Sequence, residues 1–186
     1  MVKIEPAKPN EMTLVKTLYR SAFPKEERKP FWLIRKRAKQ GSMEILTVSN
    51  DNCFAGLVIT VLYRNLLLVD YFAISPEARG QGIGSQALKA ICDRYQGKHL
   101  FLEIEKPRED AKNQAQRLQR KRFYLHNGFT ECGVDTVLFG IEMELLCYRC
   151  SIHPEDYLAL YRSFLGARIT KKRVAILPSA EKSETS

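Results

Sequence analysis

The segment Leu66-Leu67-Leu68-Val69-Asp70-Tyr71-Phe72-Ala73-Ile74-Ser75, followed three residues on by Arg79-Gly80-Gln81-Gly82-Ile83-Gly84-Ser85, decides how the chain is read. A continuous apolar run reads as a buried strand, and the glycines after it read as a tight turn that opens a helix. Such a turn gathers unpaired amides at a helix N-terminus, where the macrodipole favours negative charge. Glycine is needed there because a side chain keeps a bulky anion away from the amides. Arg79 at the mouth adds a fixed charge with forked donors. The local chemistry is that of a phosphate-binding site.

Working outward, Met43–Ser49, Cys53–Tyr63 and Leu66–Ser75 read as strands, with tight turns at 50–52 and 64–65, and so as an antiparallel meander. Upstream lie a short strand near Val2–Glu5, a helix from about Asn10 with Leu14, Val15 and Leu18 as its apolar stripe, and a second helix, Phe31 to Lys39. Downstream come a helix Gly82–Tyr95 with Ala87, Leu88, Ile91 and Tyr95 on one face, and a strand His99–Glu105. A helix from about Glu109 to His126 carries Ala111, Ala115, Leu118 and Leu125, and Asn127-Gly128 caps it. Strands near Phe129–Phe139 and Ile141–Cys150 follow, then a short helix from Pro154 to Gly166 with Leu158, Tyr161 and Leu165 facing one way. After Pro178 the tail is small and polar and is expected to be disordered. The predicted fold class is α+β: a mixed, mostly antiparallel central sheet of about seven strands flanked by helices, with an extra short C-terminal helix.

Three glycine-rich phosphate loops compete for residues 79–85. A P-loop requires a lysine directly after its last glycine, and none is present. A dinucleotide fingerprint spaces its glycines G-x-G-x-x-G, whereas Gly80, Gly82 and Gly84 give G-x-G-x-G, and a meander fits a doubly wound parallel sheet poorly. The third reading fits best. Arg79-x-x-Gly82-x-Gly84, after a strand and opening a helix, resembles the acyl-CoA-binding signature of the GNAT acyltransferase superfamily. Arg122-Phe123-Tyr124-Leu125-His126-Asn127-Gly128-Phe129 is similar to the second signature of that family, a tyrosine late in a helix before a Gly-Phe turn. The element order matches along essentially residues 1–150. The chain departs from the family pattern at Arg117, where many members have asparagine, and at Arg120, where a small residue is common; Asn113 is the candidate substitute for the first.

This resemblance implies one acyltransferase domain over residues 1–177, with a common core of about 1–150, a helical extension of about 151–177 and a tail at 178–186. It implies acetyl transfer from acetyl-CoA to a primary amine by direct attack in a ternary complex. The amides of Gln81, Gly82, Ile83, Gly84 and Ser85 would surround the CoA diphosphate, with Arg79 and Gly80 shaping the approach. Pantetheine would pair with the backbone of Phe72, Ala73 and Ile74, where a main-chain N–H would polarise the thioester carbonyl. Tyr124 would protonate the departing sulfur. Glu103 and Glu105, on one face of a strand, are the candidate general bases, and Asp70 is a weaker rival. Cys92 follows the phosphate loop without a histidine partner, which argues against a covalent cysteine intermediate. A non-catalytic CoA-sensing or protein-interaction module on the same fold is the alternative.

Composition sets outer bounds. The 186 residues suffice for one domain with a proper core, and 45% hydrophobic with 27% charged residues is an ordinary globular balance. No apolar run approaches the ~20 residues of a membrane span, and Met1–Pro6 lacks a signal-like apolar core, so a cytoplasmic location is expected. The net charge of +9 permits polyanion binding, but no nucleic-acid motif accompanies the basic runs. Partners are thus a small-molecule or peptide amine and, as a candidate assembly, a homodimer; neither membrane nor nucleic acid is expected. Cys53, Cys92, Cys132, Cys147 and Cys150 read as mostly buried free thiols. Cys147-x-x-Cys150 lacks the second pair of ligands that zinc normally takes, so no metal is assigned.

Overall fold

The structure, a computed structural model, describes residues 1–178. It has the α+β architecture expected, with eight strands in a mostly antiparallel sheet and helices flanking it. The chain divides into two compact units, Met1–Leu100 and the part from Phe101 onward.

In the first unit, β1 (Val2–Pro6), β2 (Met43–Asn50), β3 (Cys53–Tyr63) and β4 (Leu66–Ile74) pair antiparallel in chain order. The β2–β3 turn works because Asp51 and Asn52 both accept positive φ, 48° and 66°, the sense that matches strand twist in a tight hairpin. Three helices cover the strands: α1 (Met12–Ala22), α2 (Phe31–Lys39) and α3 (Ile83–Arg94). Most side chains of β3 and β4 are buried, which explains their continuous apolar sequence. The α1 stripe keeps the predicted Val15 and Leu18 and adds Tyr19, while the predicted Leu14 is 49% exposed. On α3 the predicted Ala87, Leu88, Ile91 and Tyr95 are all buried.

The second unit holds β5 (His99–Glu105), α4 (Gln114–His126), β6 (Thr130–Leu138), β7 (Ile141–Tyr148), α5 (Pro154–Leu165), α6 (Ala167–Arg173) and β8 (Val174–Ile176), with strand order β5-β7-β6-β8. Five expectations need correction here. The strand β8 is an eighth, set against β6 with Thr136 opposite Ile176 and Leu138 opposite Val174; three residues after a basic run give too little pattern to read. The short C-terminal helix is followed by a second, α6, begun by Gly166 at φ +85°. The helix expected from Glu109 starts only at Gln114, because Arg108 is held by Asp110 and Glu142, and Asn113 directs its amide to neighbouring side chains. Its apolar pattern also misleads: Tyr124 is its buried residue, while Leu125 is 38% exposed. On α5 the buried face is Tyr157, Leu160, Tyr161 and Phe164 rather than Leu158 and Leu165.

The cysteine reading is corrected as well. Cys132 and Cys147 form a disulfide between the antiparallel strands β6 and β7, at a Cα–Cα distance of 5.8 Å. Cys92 is buried, Cys150 is half-buried and Cys53 is exposed. Among the described residues no helix is long and apolar enough to cross a membrane. The polar tail lies outside the described residues from Ser179 onward.

Candidate functional site

The phosphate-loop residues are in the first unit. β4 ends at Ile74, a single turn of 3-10 helix spans Pro76–Ala78, and α3 begins at Ile83. Gly80 and Gly82 have φ of +76° and +73°, a backbone that only glycine adopts without strain. Gly82 is the N-cap of α3 and brings no side chain to it. The helical ladder starts with Gln86 N–H donating to the Gly82 carbonyl at 3.2 Å. The amides of Ile83, Gly84 and Ser85 precede that bond, at the positive end of the helix dipole. The donor set therefore fits a diphosphate. Arg79 lies at the surface, its Nε donating to the Ile74 carbonyl at 3.1 Å, and Gln81 donates to the Glu77 carbonyl at 3.0 Å. The strand end and the loop are thus tied into one piece.

The backbone assigned to pantetheine is held from below by β3. Phe72, Ala73 and Ile74 stand opposite Val58, Leu57 and Gly56. Gly56 permits this spacing: a Cβ there would stand 2.5 Å from the Ala73 carbonyl oxygen. One step earlier the register shifts, with Ile59 opposite Tyr71 and Thr60 opposite Val69, so Asp70 is the extra residue of a β-bulge. The Asp70 side chain is only 4% exposed, and its Oδ1 accepts from Lys29 Nζ at 2.7 Å, while Oδ2 has no hydrogen-bond partner. The segment joining α1 to α2 is fixed at the same place. Tyr71 Oη donates to the Glu27 carbonyl at 2.9 Å and accepts from the Lys29 amide at 3.0 Å, and Tyr19 Oη donates to the Lys29 carbonyl at 2.9 Å. Burial pushes both phenols well above the ordinary tyrosine range. Lys29 is the partner that sequence reasoning missed, since nothing in a basic run separates it from its neighbours.

The remaining candidates are in the second unit. Tyr124 is buried against Phe123 and Phe129, and its main-chain carbonyl accepts from Asn127 and Phe129 as α4 closes. Burial raises its phenol to about 12, with Arg120 pulling the other way. Glu103 and Glu105 share a strand but have different surroundings. Glu103 accepts from Tyr161 Oη at 2.6 Å and from Tyr157 Oη, both on α5. Glu105 is buried and paired with Arg117 at 2.9 Å, with Arg120 Nη1 at 3.8 Å and Asn113 Nδ2 at 3.4 Å. Arg117 also donates to Asn113 Oδ1 at 2.8 Å and to the Lys106 carbonyl at 3.0 Å. The two arginines that depart from the family pattern thus both serve Glu105. The spacing of Glu105 and Arg117 gave no hint of this, because the connection at 106–113 is irregular.

A family model described as the acetyltransferase (GNAT) family matches residues 12–129, and the chain belongs to that family. Among solved structures, a GNAT-family acetyltransferase from Bacteroides thetaiotaomicron is similar at a TM-score of 0.75 and 21% identity, covering 88% of this chain and 98% of that one. The ribosomal-protein-S18-alanine N-acetyltransferase of Escherichia coli aligns at 0.60 and 16%, covering 84% and 98%. Arabidopsis thaliana Naa50, solved with the bisubstrate analogue CoA-Ac-MVNAL, aligns at 0.58 and 15%, covering 80% and 99%. At these identities the likeness is one of fold. No curated protein sequence matches the chain significantly.

Proposed function

We propose that this protein transfers an acetyl group from acetyl-CoA to a primary amine by direct attack. The observation that carries the reading is the loop at 80–85, where two glycines at positive φ open a helix whose first amides have no side-chain cap. Family membership supports acetyl-CoA as the donor, which when bound supplies an activated thioester. Gln81, Gly82, Ile83, Gly84 and Ser85 bind its diphosphate through main-chain N–H groups, Arg79 and Gly80 shape the entry, and the backbone of Phe72, Ala73 and Ile74 aligns pantetheine.

During transfer the amine loses a proton and the sulfur gains one. Tyr124 is the assigned donor to sulfur. A phenol near 12 is a weaker acid than a thiol near ~8.5, so complete transfer to a free thiolate runs uphill. Tyr124 therefore acts by donating a hydrogen bond to the sulfur as charge builds there; as the C–N bond forms and the C–S bond breaks, the departing thiolate takes up the proton that the amine gives up. Glu103 and Glu105 are already engaged by tyrosine and arginine donors, which makes them poor free bases and good fixed negative charges. The acceptor amine therefore enters in its neutral form, and these carboxylates stabilise the positive charge that appears on it. The acceptor is a small molecule or a peptide, and the location is the cytoplasm.

The test is thiol release from acetyl-CoA across polyamines, aminoglycosides, amino acids and peptide N-termini, with wild type and Tyr124→Phe. Turnover on one amine class is expected, with kcat lowered about a hundredfold in the variant and KM for acetyl-CoA little changed. Binding of acetyl-CoA with no turnover on any amine would favour the sensor reading. Unchanged kcat in the variant would remove the role of Tyr124.

A further inference from the structure

We propose that a charged cleft of the second unit, under α4 and on the paired strands β6 and β7, binds an alkylammonium ligand through Glu144. The cavity has a volume of about 390 Å³, and Lys106, Lys121, Glu131, Asp135 and Glu144 are among the residues that line it. None of these residues is assigned to acetyl transfer, so the inference does not rest on that reading.

Asp135 and Glu144 are directly opposite each other in the β6–β7 register, which places two carboxylates side by side. Like charges in that position repel unless cations separate them. Lys106 Nζ pairs with Asp135 Oδ2. Lys121 Nζ is shared, 2.9 Å from Glu131 Oε1 and 2.7 Å from Glu144 Oε2. Three carboxylates are thus served by two ammonium groups, which leaves the cluster one positive charge short. The deficit has an address. Glu144 Oε1 is buried without a hydrogen-bond partner, on a side chain only 8% exposed.

An unpaired buried carboxylate oxygen is costly, so the cleft favours a ligand that brings both a donor and a positive charge. Anionic ligands would meet the carboxylate excess. Among the described residues no group of three or more His, Cys, Asp or Glu side chains is arranged to hold a metal ion. A primary ammonium supplies three N–H donors on a compact charge, and the cavity has room for an aliphatic chain behind it. Burial also raises the Glu144 carboxyl above its ordinary range, against the pull of Lys121, so the free cleft holds a carboxylate that gains from a new cation. A small free diamine and the lysine side chain of a peptide share this chemistry.

The test is calorimetric titration of the full chain near neutral pH and physiological salt with 1,4-diaminobutane and, separately, with N-acetyl-lysine N-methylamide. Saturable binding of one or both is expected in wild type, weakened at least about tenfold in Glu144→Gln while acetyl-CoA binding is unchanged. Whichever probe binds more tightly identifies the source. In parallel, 1,4-diaminobutane titrated into isotope-labelled wild type should shift the resonances of Glu131, Asp135 and Glu144, a readout that needs no variant to fold. Absence of saturable binding by both probes, equal affinity in Glu144→Gln, or shifts confined to other residues would overturn the proposal.

Discussion

Arg117 Nη2 lies 2.9 Å from Glu105 Oε1, and the two side chains are 16% and 8% exposed. A charge pair so far out of water is worth little against an apolar pair, but removing Arg117 leaves Glu105 buried with only the more distant Arg120 guanidinium. Arg117→Met is therefore expected to destabilise the protein by about 3 kcal/mol, and Arg117→Met/Glu105→Gln to recover most of that loss. Urea denaturation of the two single variants and the double variant checks this. A loss in the double variant equal to the sum of the two single losses would mean that the pair is not coupled.

Tyr19, Tyr71, Tyr95, Tyr124 and Tyr157, five of the eight tyrosines, are all raised chiefly by burial. The sign follows from proton counting. Below about pH 10 both folded and unfolded phenols are protonated and add no pH dependence. Above it the unfolded chain loses its protons first, so stability falls as pH rises. Tyrosinate absorbance of these five buried rings and circular dichroism should therefore change together in one alkaline transition. Full ionisation before loss of structure would contradict the burial described here.

Gly56 faces the backbone assigned to pantetheine. A Cβ there would stand 2.5 Å from the Ala73 carbonyl oxygen and 3.0 Å from Ile74 Cδ1. Because the nearest atom is main chain, β4 itself must move. Gly56→Ala is expected to cost about 1–3 kcal/mol and to weaken acetyl-CoA binding, as thermal denaturation and calorimetry would report. Lost stability with unchanged binding would separate Ala73 and Ile74 from the pantetheine path.

The sequence carried the fold where a period or a turn leaves a mark. The meander was legible because apolar runs alternate with polar turn pairs, and the turn at Asp51-Asn52 has the positive φ those residues tolerate. The loop at 79–85 was legible because only glycine suits two of its positions. What escaped depends on contacts distant in the chain. The partners of Glu103 are 54 and 58 residues away on α5, and Lys29 meets Asp70 across 41 residues. On α4, polar residues face charged partners rather than water, so hydrophobic periodicity misplaces its buried side. The disulfide depends on the pairing of β6 and β7, which cysteine spacing alone does not specify.

Main-chain donors at 81–85 are expected to hold the diphosphate of acetyl-CoA. The most direct measurement is a crystal structure of the wild-type protein with acetyl-CoA. Diphosphate oxygens are expected within hydrogen-bonding distance, about 2.7–3.2 Å, of the amides of Gln81, Gly82, Ile83, Gly84 and Ser85. A diphosphate bound elsewhere, with those amides facing water alone, would contradict the account.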